Sequence, residues 1–157
     1  MTASEIREEA VLSDDAVFSA FPAVLIDRDN IAHYRGILAG KLLINRCAAC
    51  GYWVYPHRPL CPECLSWDVH PVEISGRGKV FLFTLIHQVR EPGGRLREPI
   101  AAAAVELVEQ SGLRYLARIV NCPSERIIPD MPVQLTWVEG ENSVPMPAFE
   151  PVAAQEG

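Results

Sequence analysis

The sequence contains no apolar run of about 18 residues or more, so no segment reads as membrane-spanning. It also lacks a glycine-rich phosphate loop, a nucleophile elbow and the paired-histidine motif of a catalytic metal site. Its four histidines, His33, His57, His70 and His87, are scattered and converge on no evident acid–base set. Basic charge is scarce: 14 Lys and Arg against 20 Asp and Glu leave a net charge of −6. That balance argues against general nucleic-acid binding, which needs a basic surface to release counterions. The leader Met1–Ala10 is polar and acidic and lacks the basic-then-apolar pattern of an export signal. The expected compartment is therefore the reducing cytoplasm, where a disulfide framework is disfavoured.

What is present is a globular composition, 49% hydrophobic and 22% charged over 157 residues, enough for one ordinary domain and a small appendage. Four of the five cysteines form two matched pairs, Cys47-Ala48-Ala49-Cys50 and Cys61-Pro62-Glu63-Cys64. Two residues between cysteines let both sulfurs of a tight turn face one tetrahedral ion, and two such turns close a four-thiolate site. Four protein ligands leave no position for water or substrate, so the expected role is structural. The donor set suits Zn²⁺ or a single iron. Cys47–Tyr52 looks like the first knuckle of a rubredoxin, but Leu65 stands after the last cysteine where a rubredoxin has glycine. Zinc is preferred for that reason and because the chain is far larger than a minimal electron carrier. His57 lies between the pairs and is read as a hydrogen-bonded loop residue rather than a ligand. Cys122 reads as a buried or partly buried thiol.

Along the chain, residues 1–26 form a leader with a short amphipathic turn near Val11–Phe18, stopped by Pro22. Asp27 and Asp29 offer capping oxygens to a helix over Asn30–Ala39, whose Ile31, Tyr34, Ile37 and Leu38 recur at helical spacing before Gly40. Short strands at Lys41–Arg46, Tyr52–Tyr55 and Trp67–Ile74 frame the cysteine turns, and Gly76-Arg77-Gly78 marks a boundary or bulge. The rest reads as β: a long curved strand at Val80–Val89, then Ile100–Leu107, Arg114–Val120 and Val133–Val138. Glu91–Pro99 reads as a loop, and Glu109–Gly112 as a hairpin turn. The expected fold is mainly β. A short helix and a rubredoxin-like zinc ribbon (27–75) precede a five-stranded, partly open OB-fold barrel (76–139). The proline-containing tail (140–157) is expected to lack regular structure unless a partner orders it.

The order of these features carries a resemblance. A short helix, Gly40-Lys41-Leu42, Arg46-Cys47-Ala48-Ala49-Cys50-Gly51, the run Tyr55–Cys64 and Gly76-Arg77-Gly78-Lys79-Val80 follow one another. Over about residues 30–139 the chain resembles the acyl-CoA-associated zinc-ribbon/OB-fold family, long known as a domain of unknown function. The resemblance implies an accessory role beside thiolase-like proteins, including lipid-transfer-type thiolases and aldolases, in which the partner carries the catalytic residues. Some members sit beside hydratase-like domains. Substrates in such systems include acyl-CoA thioesters of steroid side chains and other degraded acids. The expected state is thus a hetero-oligomer that meets acyl-CoA through the complex. Tyr34, Trp53, Tyr55 and Trp67 are candidate aromatic anchors of the partner interface, or else core of a small module. His87 and the cations Arg90, Arg95 and Arg97 are candidate ligand contacts, the last three near CoA phosphates. A nucleic-acid-binding ribbon/OB module, an iron electron carrier and an independent enzyme stand as alternatives.

Overall fold

A computed structural model of the chain describes residues 13–87, 94 and 98–152. Two helices lead. Helix α1 (Asp14–Ala20) starts where the Ser13 hydroxyl accepts the Ala16 N–H at 3.2 Å, with Asp14 and Asp15 in its positively polarised first turn. Helix α2 (Ile31–Leu38) follows a compact polar turn: the Asp27 carboxylate accepts the N–H groups of Asp29 (2.9 Å) and Asn30 (3.1 Å). It ends on Gly40 at φ +71°, with Gly40 N–H bonded to Ile37 C=O and Lys41 N–H to Gly36 C=O. Those two bonds form a Schellman cap. Val17, Phe21 and Ile37 bury the helix–helix seam, and Trp137 and Val144 close it from the barrel side.

A three-stranded antiparallel sheet of order β2-β1-β3 follows, with β1 at Leu43–Cys47, β2 at Trp53–Val54 and β3 at Val69–Glu73. The barrel then closes in the order β4-β5-β6-β8-β7. Its strands are β4 (Arg77–Ile86), β5 (Ile100–Leu107), β6 (Arg114–Ile119), β7 (Pro132–Glu139) and β8 (Pro145–Pro151). The long strand β4 bends at a register shift between Val80 and Leu82. Before the shift the even-numbered Val80 points inward; after it, the odd-numbered Phe83 and Leu85 do. One extra residue thus keeps the apolar side of a curving strand on the core. The irregularity lies there rather than at Gly76–Gly78.

Strand β8 corrects the expectation of an irregular tail, and it carries the barrel past residue 139 to Pro151. Prolines usually argue against a paired strand because they lack an N–H. Here Pro145, Pro147 and Pro151 share one parity. Even-numbered residues face β7, as shown by Val152 N–H on Pro132 C=O and Gly140 N–H on Val144 C=O. Odd-numbered residues face β6, since Phe149 C=O accepts the Val120 N–H. The prolines therefore remove no donor from the seven-pair β7–β8 ladder.

Ribbon and barrel share one core. Leu42, Ile44 and Trp53 pack with Val80, Val105, Tyr115 and Phe149. Gln110, in the β5–β6 turn, clamps the exposed edge of β2. Its side-chain oxygen accepts the Trp53 N–H at 2.8 Å and its amide donates to Trp53 C=O at 3.2 Å. Gly78 sits where β4 crosses β5: an added Cβ would lie 2.7 Å from Glu106 C=O and 2.7 Å from a Val105 methyl. Gly78→Ala is expected to lower barrel stability by about 1–3 kcal/mol through overpacking, read as an earlier midpoint in denaturant unfolding. An unchanged midpoint would show that the strands part there without strain.

Candidate metal centre

The two cysteine turns are built alike. In the first, Gly51 N–H bonds to Cys47 C=O (2.9 Å) and Cys47 N–H to Tyr52 C=O (2.8 Å). In the second, Leu65 N–H bonds to Cys61 C=O (3.0 Å) and Cys61 N–H to Ser66 C=O (2.9 Å). Gly51 (φ +80°) and Leu65 (φ +59°) both occupy the left-handed region that each turn requires. Leu65 reaches it against its side chain's preference.

These turns bring all four sulfurs within 4.8 Å of one another. Cys47 and Cys64 are 3.6 Å apart, as are Cys50 and Cys61. A tetrahedral ion with metal–sulfur bonds of about 2.3 Å spaces its sulfurs by roughly 3.8 Å, so the cluster fits a four-thiolate metal site. Cys47 and Cys61 are buried, whereas Cys50 and Cys64 lie at the surface. Burial opposes ionisation of Cys47, but N–H groups of Cys50 and Ala49 directed at its sulfur, together with the neighbouring Cys64 and Cys50 thiols, outweigh it and bring the thiol down to about 7. At Cys50 the Tyr52 N–H favours the thiolate, yet partial desolvation of its sulfur by the turn and the neighbouring sulfurs of Cys64, Cys61 and Cys47 outweigh it and push the thiol up to about 12. The Ser66 N–H and Cys50 favour the Cys64 thiolate, but desolvation and the sulfurs of Cys47 and Cys61 outweigh them and raise this thiol as well. Cys47 thus forms a thiolate readily while Cys50 and Cys64 resist, as expected of a site whose charge a cation must balance.

Behind the ribbon lies a junction of rings that the sequence reading did not assemble. His33 on α2 is 5% exposed. Its Nδ1 lies 2.8 Å from Leu43 C=O and its Nε2 lies 3.3 Å from the Tyr115 hydroxyl of β6. A carbonyl can only accept, so Nδ1 carries the proton and Tyr115 donates to Nε2. His57 lies tilted by 45° against His33, ring centroids 4.7 Å apart, and Tyr55 meets it edge-on at 5.3 Å. Both ring nitrogens of His57 are buried without a hydrogen bond. The reading of His57 as a hydrogen-bonded loop residue is thus corrected: the chain after Tyr55 turns its ring into the aromatic junction instead of toward solvent. It does not join the sulfur cluster. Burial, then the nearby His33, lowers its pKa to about 4.

The other candidates are dispersed. Trp53 belongs to the core, 8% exposed, and carries no free surface as an anchor. Tyr55 packs against that core and Tyr34 against the helix seam. Trp67, 70% exposed beside the second cysteine turn, presents a large apolar face, as does Leu65 at 68%. His87 is exposed just past the end of β4, not on the strand. Arg90, Arg95 and Arg97 lie outside the described residues. Cys122 is partly buried, its sulfur 3.5 Å from Pro123 C=O. His33 escaped the sequence reading because it falls beside the apolar stripe of α2. Gln110 carried no signal at all in a polar turn.

Two family models divide the chain at residue 70, within β3. Residues 36–69 match the ChsH2 rubredoxin-like zinc ribbon domain and residues 71–138 the ChsH2 C-terminal OB-fold domain. The chain belongs to the ChsH2-type DUF35 family. Among solved structures it resembles the Ltp2-ChsH2(DUF35) aldolase, with a TM-score of 0.72 and 34% identity over 82% of this chain and 98% of that one. A DUF35 domain-containing scaffold protein of Methanocaldococcus jannaschii is 31% identical over 73% of this chain and 80% of its own. A probable enoyl-CoA hydratase alpha subunit of Thermomonospora curvata is 35% identical over 86% of this chain and 41% of the relative. The 3-oxo-4,17-pregnadiene-20-carboxyl-CoA hydratase alpha subunit of Mycobacterium tuberculosis is 33% identical over 71% and 34%. The chain thus spans about two fifths or less of those two hydratase subunits. Among the described residues, no helix is long and apolar enough to cross a membrane.

The junction makes a pH prediction. His57 titrates near 6.5 when unfolded and near 4 when folded. Its contribution is therefore fully present above pH 6.5 and is lost as pH falls toward 4. The slope is at most about 1.4 kcal/mol per pH unit, less for the solvent-facing part of the ring. Metal release at low pH adds its own slope, so the comparison is with His57→Phe, whose stability should fall less steeply over that range. Parallel profiles would contradict the burial of a neutral His57.

Proposed function

We propose that this chain is a non-catalytic accessory subunit, with zinc at its four thiolates, of a thiolase-superfamily complex that acts on acyl-CoA thioesters. The observation that carries this reading is the likeness to the DUF35 chain of the Ltp2-ChsH2(DUF35) aldolase, which this chain matches over 98% of its length. The scaffold name of the archaeal relative supports an architectural role. The closed donor set supports it too, because four thiolates on one tetrahedral ion leave no coordination site for a reactant. Zinc is favoured over iron by the leucine at position 65 and by the size of the module around the site.

In this reading the partner holds the catalytic residues and this subunit stabilises it and helps admit the thioester. The reaction is a retro-aldol or thiolase-type carbon–carbon cleavage, and a steroid-type side chain is the favoured substrate class, supported by the name of the pregnadiene-carboxyl-CoA hydratase relative. A hydratase-like protein is the second partner, supported by the two hydratase alpha subunits that contain a region like this chain. Trp67 and Leu65, exposed beside the metal, are the favoured anchors on the ribbon. Arg95 and Arg97 are proposed to meet CoA phosphates, and His87 to lie beside the same ligand.

The test is reconstitution. The full chain is co-expressed with a thiolase-like protein from the same cells, and the complex is isolated and assayed for carbon–carbon cleavage of acyl-CoA. The expected outcome is a stoichiometric complex, active only when both chains are present. Cys61→Ser should loosen the ribbon, spare most of the barrel and abolish the complex. A metal-free Cys61→Ser chain that still forms an active complex would sink this reading, as would cleavage by the isolated chain alone.

A further inference from the structure

The barrel closes unevenly. Parallel pairing between β6 and β8 is confined to Arg118↔Ala148 and Ile119↔Phe149. In that register the next rung toward the start of β6 requires the residue 147 N–H to reach Leu116 C=O. Residue 147 is proline and has no N–H, so the ladder stops there. On its other side β6 is fully paired with β5 from Arg114 to Arg118. The first half of β6 is therefore a strand edge within a barrel, and Leu116 C=O receives no donor from β8.

A groove of about 470 Å³ runs over this seam. Ala102, Ala104 and Ala117 keep it deep, while Leu82, Leu116 and Met146 form its sides. Those three are 52%, 73% and 40% exposed, an unusual row of large apolar side chains facing water. The groove's one charged residue is Arg118, which forms no ion pair among the described residues. An unpaired backbone edge, apolar sides and a lone cation ask for a ligand with a backbone of its own, apolar side chains and one acidic group.

We propose that the β6–β8 seam is a strand-addition site that takes an extended segment of a partner protein. The segment pairs with the edge of β6 at Leu116, lays apolar side chains against Leu116 and Met146, and sets a carboxylate at Arg118, while Leu82, beyond Ala104, walls the far side of the groove. Main-chain hydrogen bonds supply affinity in this mode and the alternating side chains supply selectivity. Pro147 keeps the site open by denying Leu116 its internal partner. This goes beyond the accessory role: it holds whether or not the ribbon meets a thiolase-like protein, and that role holds if the seam binds nothing.

The test titrates the full-length protein with a capped peptide of about eight residues, alternating valine and threonine around one glutamate, and follows backbone amide resonances. The expected result is a shift of the amides from Arg114 to Arg118, with slowed exchange at Leu116. Affinity should fall by at least about tenfold on Leu116→Lys and on Pro147→Val. The second variant restores the missing donor and lets β8 zip further along β6. Its melting temperature should stay at or above the parent's, which separates lost docking from lost folding. Peptide binding that leaves β6 unshifted, no binding at millimolar peptide, or undiminished affinity in both variants overturns the proposal. So does decanoate shifting these amides when the peptide does not, which would assign the groove to an amphiphile. Self-association abolished by Leu116→Lys would give it to a second copy, and overturns it equally.

Discussion

Four sulfurs within 4.8 Å cannot all carry charge without a cation among them. That constraint organises the first half of the molecule. The ribbon sheet is small: β2 has two residues, and β1 and β3 have five each. Such a sheet buries too little apolar surface to hold itself together. Tying both turns to one ion fixes the ends of β1 and the approach to β3 together. The remaining stability is borrowed from the barrel, through the common core of Leu42, Ile44 and Trp53 and through the Gln110 clamp on β2. Metal and barrel thus support opposite faces of the same thin layer.

The junction between them is specified by polar rings rather than by apolar bulk alone. His33 is fixed by a carbonyl on one nitrogen and the Tyr115 hydroxyl on the other, linking α2, β1 and β6 in one chain of contacts. His57 completes the ring cluster as a neutral ring with no partner for either nitrogen among the described residues. A buried polar group without a partner is costly, so its placement reflects packing around Tyr55 and Tyr115 rather than a hydrogen-bonding preference. The outcome is a ribbon held in one orientation, with Trp67 and Leu65 turned away from the core.

Much of this was legible in the chain itself. The cysteine spacing picked out the four sulfurs that the fold brings together, because a CxxC turn tolerates few geometries. The stripe Ile31, Tyr34, Ile37 and Leu38 with Gly40 located α2 almost to the residue, because helix periodicity and its cap are local properties. Strand β8 was not legible: proline content speaks against a ladder, and only the three-dimensional register shows that Pro145, Pro147 and Pro151 all turn their missing donors away from β7. The aromatic anchors were ambiguous for a related reason. Sequence marks Trp53 and Trp67 alike, but one lies under the Gln110 clamp and the other in solvent. Gln110, His33 and Tyr115 act through contacts with residues 57 to 82 positions away, which no local pattern records.

The dependence of the ribbon on its ion is the central physical claim, and hydrogen exchange read by mass spectrometry tests it most directly. The full chain is compared before and after complete chelation of metal under reducing conditions. Protection should be lost across Leu43–Val54 and Val69–Glu73 and weakened in α2, while β4 to β7 keep theirs. Unchanged protection of the ribbon strands in verified metal-free protein would contradict it, and would mean that the shared core alone holds the ribbon in place.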